Sequence, residues 1–402
     1  MISYLKDKVS NRYQNFVAYK KLNILKDKKS KNKRIRVGFI VQMPQIWDKQ
    51  EPVFREMLHD EKFEPKLIVT PTFDYVNMRV CEFGEEKAYF EQRYGMDLCI
   101  FYDDSFDVNS LKEYDYIFFP RPYDCYLPED LRSYKVINFT KTVYIPYAYS
   151  ASEAFNKLDT SEEFYRYIYL GFVDIEGELD ILTKRHKKNI VKGLQSFHKL
   201  GYPSFEKYLD CNDGRYESRV LWTPRWTTDE VLGGSHFLEY KDEFISLKDD
   251  LKECKLRLRP HPLMFSNFLN KGILSEKEID DYKKALKSND IELSDNMMLW
   301  DDFNNTDVLL TDHSSIVIEF FLTGKPIIYC PPAYELNKEY KTILEGLYIA
   351  NSWSDVVGIM EQLLSGQDPL KKKREEIIKN SYSDVKGAAK RIVECIKEDY
   401  IS

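Results

Sequence analysis

Short apolar runs recur along this 402-residue sequence with charged, helix-spaced stretches between them, and that alternation restricts the chain to one class of architecture. In the first half the runs are Ile35–Val41, Pro65–Thr70, Leu98–Phe101 and Asp115–Phe119. In the second half they are Val220–Pro224, Lys255–Arg259, Asp290–Leu293, Val308–Leu310 and Ile327–Cys330. Runs such as Val308-Leu309-Leu310 offer nothing to water, as strands covered on both faces require. Helical spacing falls between them, at Asp48–His59, Glu82–Tyr94, Glu239–Lys252 and Glu276–Lys287. Strands separated by helices build βαβ units, so the sequence predicts two α/β domains with parallel sheets. The apolar pattern lapses around Asp210-Cys211-Asn212-Asp213-Gly214-Arg215, which places the linker there. The divisions are a basic segment at 1–34, a first domain at 35–210, a second at 219–385 and a closing helix at 386–402.

Composition narrows the class of function. A hydrophobic fraction of 43% and a charged fraction of 31% suit a soluble globular protein. The net charge of −7 argues against a protein that coats nucleic acid. Seven cysteines without C-x-x-C spacing read as free thiols in a reducing compartment. The first residues lack the apolar core of a signal peptide, and no window reaches the roughly 18 apolar residues of a membrane span, so a cytoplasmic location is expected.

Residues 1–36 carry Lys6, Lys8, Arg12, Lys20, Lys21, Lys26, Lys28, Lys29, Lys31, Lys33, Arg34 and Arg36. Leu5, Val9, Tyr13, Phe16, Tyr19, Leu22 and Leu25 are interleaved at helical intervals. Such a basic amphipathic helix can lie on the anionic inner face of a membrane, each basic group adding about 1 kcal/mol. Packing of the same helix on the neighbouring domain is the other reading.

Open α/β sheets bind ligands beyond the carboxyl ends of their strands. In the second half those ends read Thr223-Pro224-Arg225, Arg259-Pro260-His261-Pro262 and Thr311-Asp312-His313-Ser314-Ser315. Hydroxyls, arginines and histidines able to carry a proton all bind anions, and together they suit a diphosphate. Ser314 and Ser315 open a helix, where free N–H groups and the dipole favour phosphate; plain serine capping is the alternative. Glu319, four residues after Ser315, is placed to accept from ribose hydroxyls. There is no Walker loop, G-x-G-x-x-G, H-E-x-x-H or G-x-S-x-G, so no protein metal site or nucleophilic triad is indicated. A divalent cation can still arrive with a substrate diphosphate.

These strand-end motifs, with Leu221-Trp222, Glu319 and Gly324-Lys325-Pro326-Ile327-Ile328-Tyr329, resemble the CDP-glycerol glycerophosphotransferases. The likeness runs from about Val220 to Pro331 and extends more faintly to Arg36–Val41, Trp47 and Tyr144–Tyr147. It implies a GT-B fold, two Rossmann-type domains with parallel sheets facing a central cleft. It also implies a teichoic-acid or capsule polymer transferase, which with the expected cytoplasmic location and the basic helix would be peripheral on the membrane. A CDP-activated polyol phosphate, glycerol phosphate first among them, would pass to a hydroxyl of a lipid-linked or polymeric acceptor. The C-terminal motifs hold the CDP diphosphate in that family, which assigns the role here to Arg259, His261, Thr311, Ser314 and Ser315. Thr223, Arg225 and Asp312 join them by position. A His-Gly-Thr-type motif in the family's N-terminal domain has no counterpart, because Asn138-Phe139-Thr140-Lys141-Thr142 stands there. Asp48 and Asp124 are the candidate bases; helix capping is their ordinary role. A nucleotide-sugar glycosyltransferase of the same fold and a non-catalytic envelope-assembly protein remain the alternatives.

Overall fold

The computed structural model describes residues 2–26, 33–74, 77–149, 162–209, 211, 216–230, 234–251, 253–296, 298–332, 336 and 338–401. The side chains of residues 2–9, 250 and 339 lie outside that description, which removes Leu5, Lys6, Lys8 and Val9 from the structural account. So do Lys28, Lys29 and Lys31, and the linker residues Asp210 and 212–215. The chain forms two compact units: residues 1–150, 156–204 and 384–402, and residues 151–155 and 205–383.

Unit 1 is built on strands β1 (Ile35–Val41), β2 (Phe63–Val69), β5 (Cys99–Phe101), β6 (Tyr116–Phe119), β7 (Lys141–Tyr144), β8 (Leu170–Val173) and β9 (Ser196–Lys199). A short antiparallel pair, β3 (Phe73–Asp74) and β4 (Arg79–Val80), lies outside the main sheet. The seven strands run β5-β2-β1-β6-β7-β8-β9, all parallel, so the order reverses between β1 and β6. Gly38 sits at a close approach within the sheet: a Cβ there would meet Ile117 Cδ1 at 2.5 Å. On the sheet Phe39 stacks on Phe118 at 4.3 Å, with Trp47 edge-on to Phe39. The strands β8 and β9 are not evident from sequence, since four-residue runs beside tyrosines and lysines carry too little periodicity to separate them from helix.

Two helices complete unit 1 from the chain ends. The final helix, Ala388–Ile401, is set apart by sequence but belongs to this unit. Its Asp399 accepts from Tyr116 Oη at 2.6 Å, Lys141 Nζ at 2.7 Å and Tyr169 Oη at 2.7 Å, groups on or beside β6, β7 and β8. The first helix, Ile2–Lys26, buries Ala18, Leu22 and Leu25, and Lys21 donates to the Tyr134 carbonyl at 2.7 Å. Its exposed side mixes polar residues such as Arg12, Asn15, Lys20 and Asn23 with Tyr13, Phe16 and Ile24, which are 68%, 53% and 71% exposed. No helix among the described residues is long and apolar enough to cross a membrane.

Unit 2 contains β10 (Arg219–Thr223), β11 (Lys255–Leu258), β12 (Glu292–Leu293), β13 (Val308–Thr311), β14 (Ile327–Tyr329) and β15 (Tyr348–Ile349). Its order, β12-β11-β10-β13-β14-β15, is again parallel throughout and reverses between β10 and β13. The fully buried Trp222 of β10 stacks on Phe237 at 5.7 Å and meets Phe244 at 4.7 Å, fixing the helix Phe237–Asp250 to the sheet. Truncating such a ring costs about 3–5 kcal/mol. The Gly324-Lys325-Pro326 motif is architectural. Gly324 takes φ +72°, a conformation that strains other residues, and Lys325 Nζ donates to the Thr306 carbonyl at 2.8 Å and the Phe303 carbonyl at 3.3 Å. Those carbonyls close the helix Leu299–Asn304 ahead of β13, so the lysine caps a helix end. All seven cysteines are free thiols.

Candidate functional site

The carboxyl ends of β10 and β13 flank the reversal point of the second sheet, where the crevice of an open α/β sheet forms. Thr223 and Thr311 close β10 and β13 side by side, and Thr223 Oγ1 donates to Thr311 Oγ1 at 2.7 Å. The Thr311 hydroxyl proton goes to a backbone carbonyl, Asp312 at 2.9 Å or Thr223 at 3.1 Å. Both residues are buried, so the two hydroxyls clasp the strand ends together. This corrects their assignment as phosphate ligands.

Asp312 is the hub one residue further on. Its Oδ2 accepts from the Arg225 backbone N–H at 2.7 Å, the His236 N–H at 3.3 Å and Ser235 Oγ at 3.4 Å. Its Oδ1 lies 2.7 Å from His236 Nδ1. A buried carboxylate so engaged holds its neighbours in place and does not itself meet an anion, which corrects its place among the diphosphate contacts. Arg225 Nη1 donates to the His313 carbonyl at 2.8 Å, which ties the β10 loop to the β13 loop a second time.

The three histidines here differ in state. His313 is buried, with Nδ1 2.8 Å from Tyr329 Oη; desolvation and then the Arg225 charge push its pKa down to about 3. It is a neutral core residue. His261 accepts from the Leu263 N–H at its Nδ1, 3.1 Å away, so Nε2 carries the proton. Desolvation of the ring, then repulsion from Arg225 and Arg259, lowers its pKa to about 4. Much of the residue's surface stays open to solvent. His261 therefore offers a neutral N–H donor at pH 7, where the sequence suggests a protonated one. His236 is the opposite case: the hydrogen bond to Asp312 raises its pKa against desolvation, with Glu239 adding to the rise.

Arg259 follows β11 and is held from below. Its Nη1 donates to the Asn296 carbonyl at 2.8 Å, to Ser294 Oγ at 3.3 Å and to Asp302 Oδ2. Asp302 is fully buried and also accepts from Arg257 Nη1 at 3.2 Å, Ser294 Oγ at 2.6 Å and Asn296 Nδ2 at 2.8 Å. The guanidinium is thereby oriented with Nε and Nη2 unengaged among the described residues, and its side chain is 15% exposed. Ser314 and Ser315 are half-buried. Ser315 occupies the N-cap of the six-residue helix Ile316–Phe321 without a side-chain capping bond, so the capping reading does not account for its hydroxyl.

Glu319 is corrected too. It is buried and accepts from Tyr208 Oη at 2.8 Å, which leaves no exposed edge for a ribose. In unit 1, Asp124 accepts from the Ser133 N–H at 2.8 Å and from Ser133 Oγ at 2.6 Å, fixing the start of the helix Ser133–Val136. Burial raises its pKa, the serine bonds opposing. Asp48 is buried beside Lys49, with Nζ 3.2 Å from Oδ2. Asp48 is closed off from solvent, whereas Asp124 is partly exposed with its carboxylate held by Ser133.

Two sets of residues were not legible in the sequence. Gln42, Gln50 and Arg121 meet at the carboxyl ends of β1 and β6, where Arg121 donates to Gln42 and Gln50 Nε2 donates to the Phe119 carbonyl at 2.6 Å. His236 is the other, since nothing in spacing couples it to a carboxylate 76 residues away. The glycine pair Gly233-Gly234 before an apolar helix was the available signal. His236, Asp312 and Cys330 also bring one ligand atom each within 4.8 Å of one another. Two of the three already share a hydrogen bond, and burial raises the Cys330 thiol pKa well above its ordinary value, so the trio is a poor metal site as it stands.

Comparison with known proteins gives the family and the fold. A sequence model of the family described as CDP-Glycerol:Poly(glycerophosphate) glycerophosphotransferase matches residues 195–397, which contain the strand-end groups of unit 2. No curated protein matches the chain in sequence. Among solved structures, Staphylococcus aureus MnaA with UDP superposes with a TM-score of 0.56 at 15% identity, over 90% of this chain and 96% of that one. UDP-GlcNAc 2-epimerase from Neisseria meningitidis bound to UDP-GlcNAc gives 0.57 at 10% identity, over 90% and 100%. The wall teichoic acid polymerase TagF soaked with CDPG gives 0.53 at 13% identity, over 100% and 98%. At such identities the likeness is one of fold: GT-B, with two Rossmann-like units.

Proposed function

The chain belongs to the CDP-glycerol:poly(glycerophosphate) glycerophosphotransferase family and is a transferase of that kind, and from this we propose which groups handle its donor. The diphosphate of CDP-glycerol sits at the carboxyl edge of the second sheet, against Arg259, His261, Ser314 and Ser315, with Arg225 and His236 around Asp312. The observation that carries the reading is the buttressing of Arg259 by Asp302, which presents an oriented guanidinium edge beside the reversal point. Bidentate donors of this kind match phosphate oxygens and lose little ordering entropy on binding.

An acceptor hydroxyl attacks the β-phosphorus, the bond to the bridging oxygen breaks, and CMP leaves. Positioning and charge neutralisation supply most of the acceleration in such transfers. The acceptor is a lipid-linked or polymeric cell-surface chain, and a divalent cation accompanies the donor, bound through its phosphates. The helix Ile2–Lys26 rests on an anionic membrane through Tyr13, Phe16 and Ile24, with Lys20 over the Phe16 ring at 4.6 Å. In this reading the enzyme works on the inner face of the membrane, beside a lipid-linked acceptor.

One assay tests the donor. CDP-glycerol, CDP-ribitol and UDP-sugars are offered in turn with a lipid-linked acceptor and magnesium. CMP release from CDP-glycerol is expected; UDP release, or no release from any donor, overturns the reading.

A further inference from the structure

Whatever group assists departure of CMP must stand at the donor phosphates, hold a proton near neutral pH and be fixed in orientation. Of the other histidines at the strand ends, His261 takes the Leu263 backbone N–H at its Nδ1 and His313 is buried against Tyr329 Oη, so neither is backed by a carboxylate. His236 meets all three conditions. Its backbone N–H and Nδ1 both contact Asp312, so the ring is held at two points at the carboxyl end of β13. With Nδ1 donating to the carboxylate, Nε2 is the free end of the ring and makes no hydrogen bond among the described residues. The side chain is 27% exposed, whereas Asp312 beneath it is 3% exposed. Tyr240 stacks on the ring at 5.2 Å with an interplanar angle of 20°, which fixes the ring plane.

We propose that the Asp312–His236 pair is the donor-side acid of this transferase, with His236 Nε2–H directed at the oxygen that bridges the two phosphates. The inference rests on the donor reading above. In the step, the acceptor oxygen forms a bond to the β-phosphorus as the bond from that phosphorus to the bridging oxygen breaks. The electron pair stays with CMP, and the His236 proton moves to the departing oxygen. The acceptor's hydroxyl proton passes to solvent, and His236 recovers its proton from solvent before the next turnover. Atoms and charge balance without any further reactant. Asp312 is a positioning residue here: it orients the ring and stabilises the imidazolium, as a buried carboxylate does behind a catalytic histidine.

The groups facing His236 are Asp312 and Glu239, which favour the proton, and the Tyr240 ring and buried Cys330 thiol, which carry no charge near neutrality. The alternative is that the pair merely pins the helix Phe237–Asp250 to β13. His236→Asn separates the two roles, because the asparagine amide reproduces Nδ1–H and its bond to Asp312 but lacks Nε2.

The experiment measures CMP release from CDP-glycerol by the full-length protein across pH 5.5–9, for the wild type, His236→Asn and His236→Ala, with thermal unfolding of each. General acid assistance is worth about 10²–10⁴-fold. His236→Asn should unfold at the wild-type temperature, lose at least about 100-fold in kcat with little change in KM, and lose the alkaline fall in kcat. A His236→Asn enzyme with wild-type kcat and pH profile overturns the inference and leaves the donor reading intact. A wild type that releases no CMP overturns both. Loss of activity only in His236→Ala, accompanied by lowered stability, shows the pinning role alone and also overturns the proposal.

Discussion

The fully buried carboxylate of Asp302 accepts a hydrogen bond from the guanidinium of Arg259, and through its other oxygen it holds Arg257 at 3.2 Å. One carboxylate on the helix Leu299–Asn304 thus holds an arginine of β11 and another just beyond it, and Arg257 also pairs with Glu292 at 2.6 Å. Arg259 pays for its position once, on folding, and arrives at a ligand already aimed.

Removing that carboxylate charge should be felt in stability first. Asp302→Asn keeps the shape but leaves Arg259 against a neutral amide, while Arg257 retains Glu292, and breaking a buried pair typically costs about 3–5 kcal/mol. Denaturant unfolding should show a midpoint shift of that size, with weaker CDP-glycerol binding in the folded fraction. An unchanged midpoint would mean that the anchor is incidental.

Arg259→Ala should behave differently, because Asp302 keeps Arg257, Ser294 and Asn296 as partners. The variant should fold and lose roughly 10–150-fold in kcat/KM, the value of one charge-assisted contact of about 1.5–3 kcal/mol. Arg259→Lys should not restore it, since a single ammonium cannot both bond Asp302 and present a second donor edge. Steady-state kinetics with CDP-glycerol decides the point.

His313 makes a prediction about acid. Its pKa is pushed down to about 3 by burial and by Arg225, against 6.5 for the free side chain. Between those values the unfolded chain binds a proton that the folded one refuses, so stability rises with pH across the window and is lost as pH falls below about 6.5. The slope from this residue approaches about 1.4 kcal/mol per pH unit. His313→Asn should be less stable at pH 7 yet show a shallower decline between pH 6.5 and 4. Unfolding curves at several pH values give both quantities.

The first helix predicts a membrane phenotype with a defined face. Tyr13→Ser, Phe16→Ser and Ile24→Ser together should abolish sedimentation with anionic vesicles while leaving the unfolding midpoint within about 0.5 kcal/mol, because exposed positions contribute little to folding. Leu22→Ser, on the buried face, should do the reverse and destabilise the protein. Neutral vesicles that bind equally well would exclude the charge component.

The candidate site was legible at its anchors and obscure in its roles. The sequence shows Thr311, Asp312 and Glu319 as polar groups at a strand end, and chemistry alone makes each a phosphate or ribose contact. The structure turns all three inward, to Thr223, to Arg225 and His236, and to Tyr208. Ser314 and Ser315 keep partly exposed positions, and Arg259 gains the supporting carboxylate that no local pattern reveals.

By itself the sequence determined the parallel α/β architecture, because short apolar runs between helical spacings bury their backbone polar groups only as βαβ units. It also determined the family, since each strand-end motif is a contiguous run of a few residues and is read without knowing how the chain folds. Only the tertiary structure decided which polar groups act and which merely support. That choice depends on pairs such as Asp312 with His236 and Arg259 with Asp302, separated by 76 and 43 residues. A side chain's charge, exposure and free hydrogen-bonding edge are properties of its neighbours in space, and sequence spacing does not carry them.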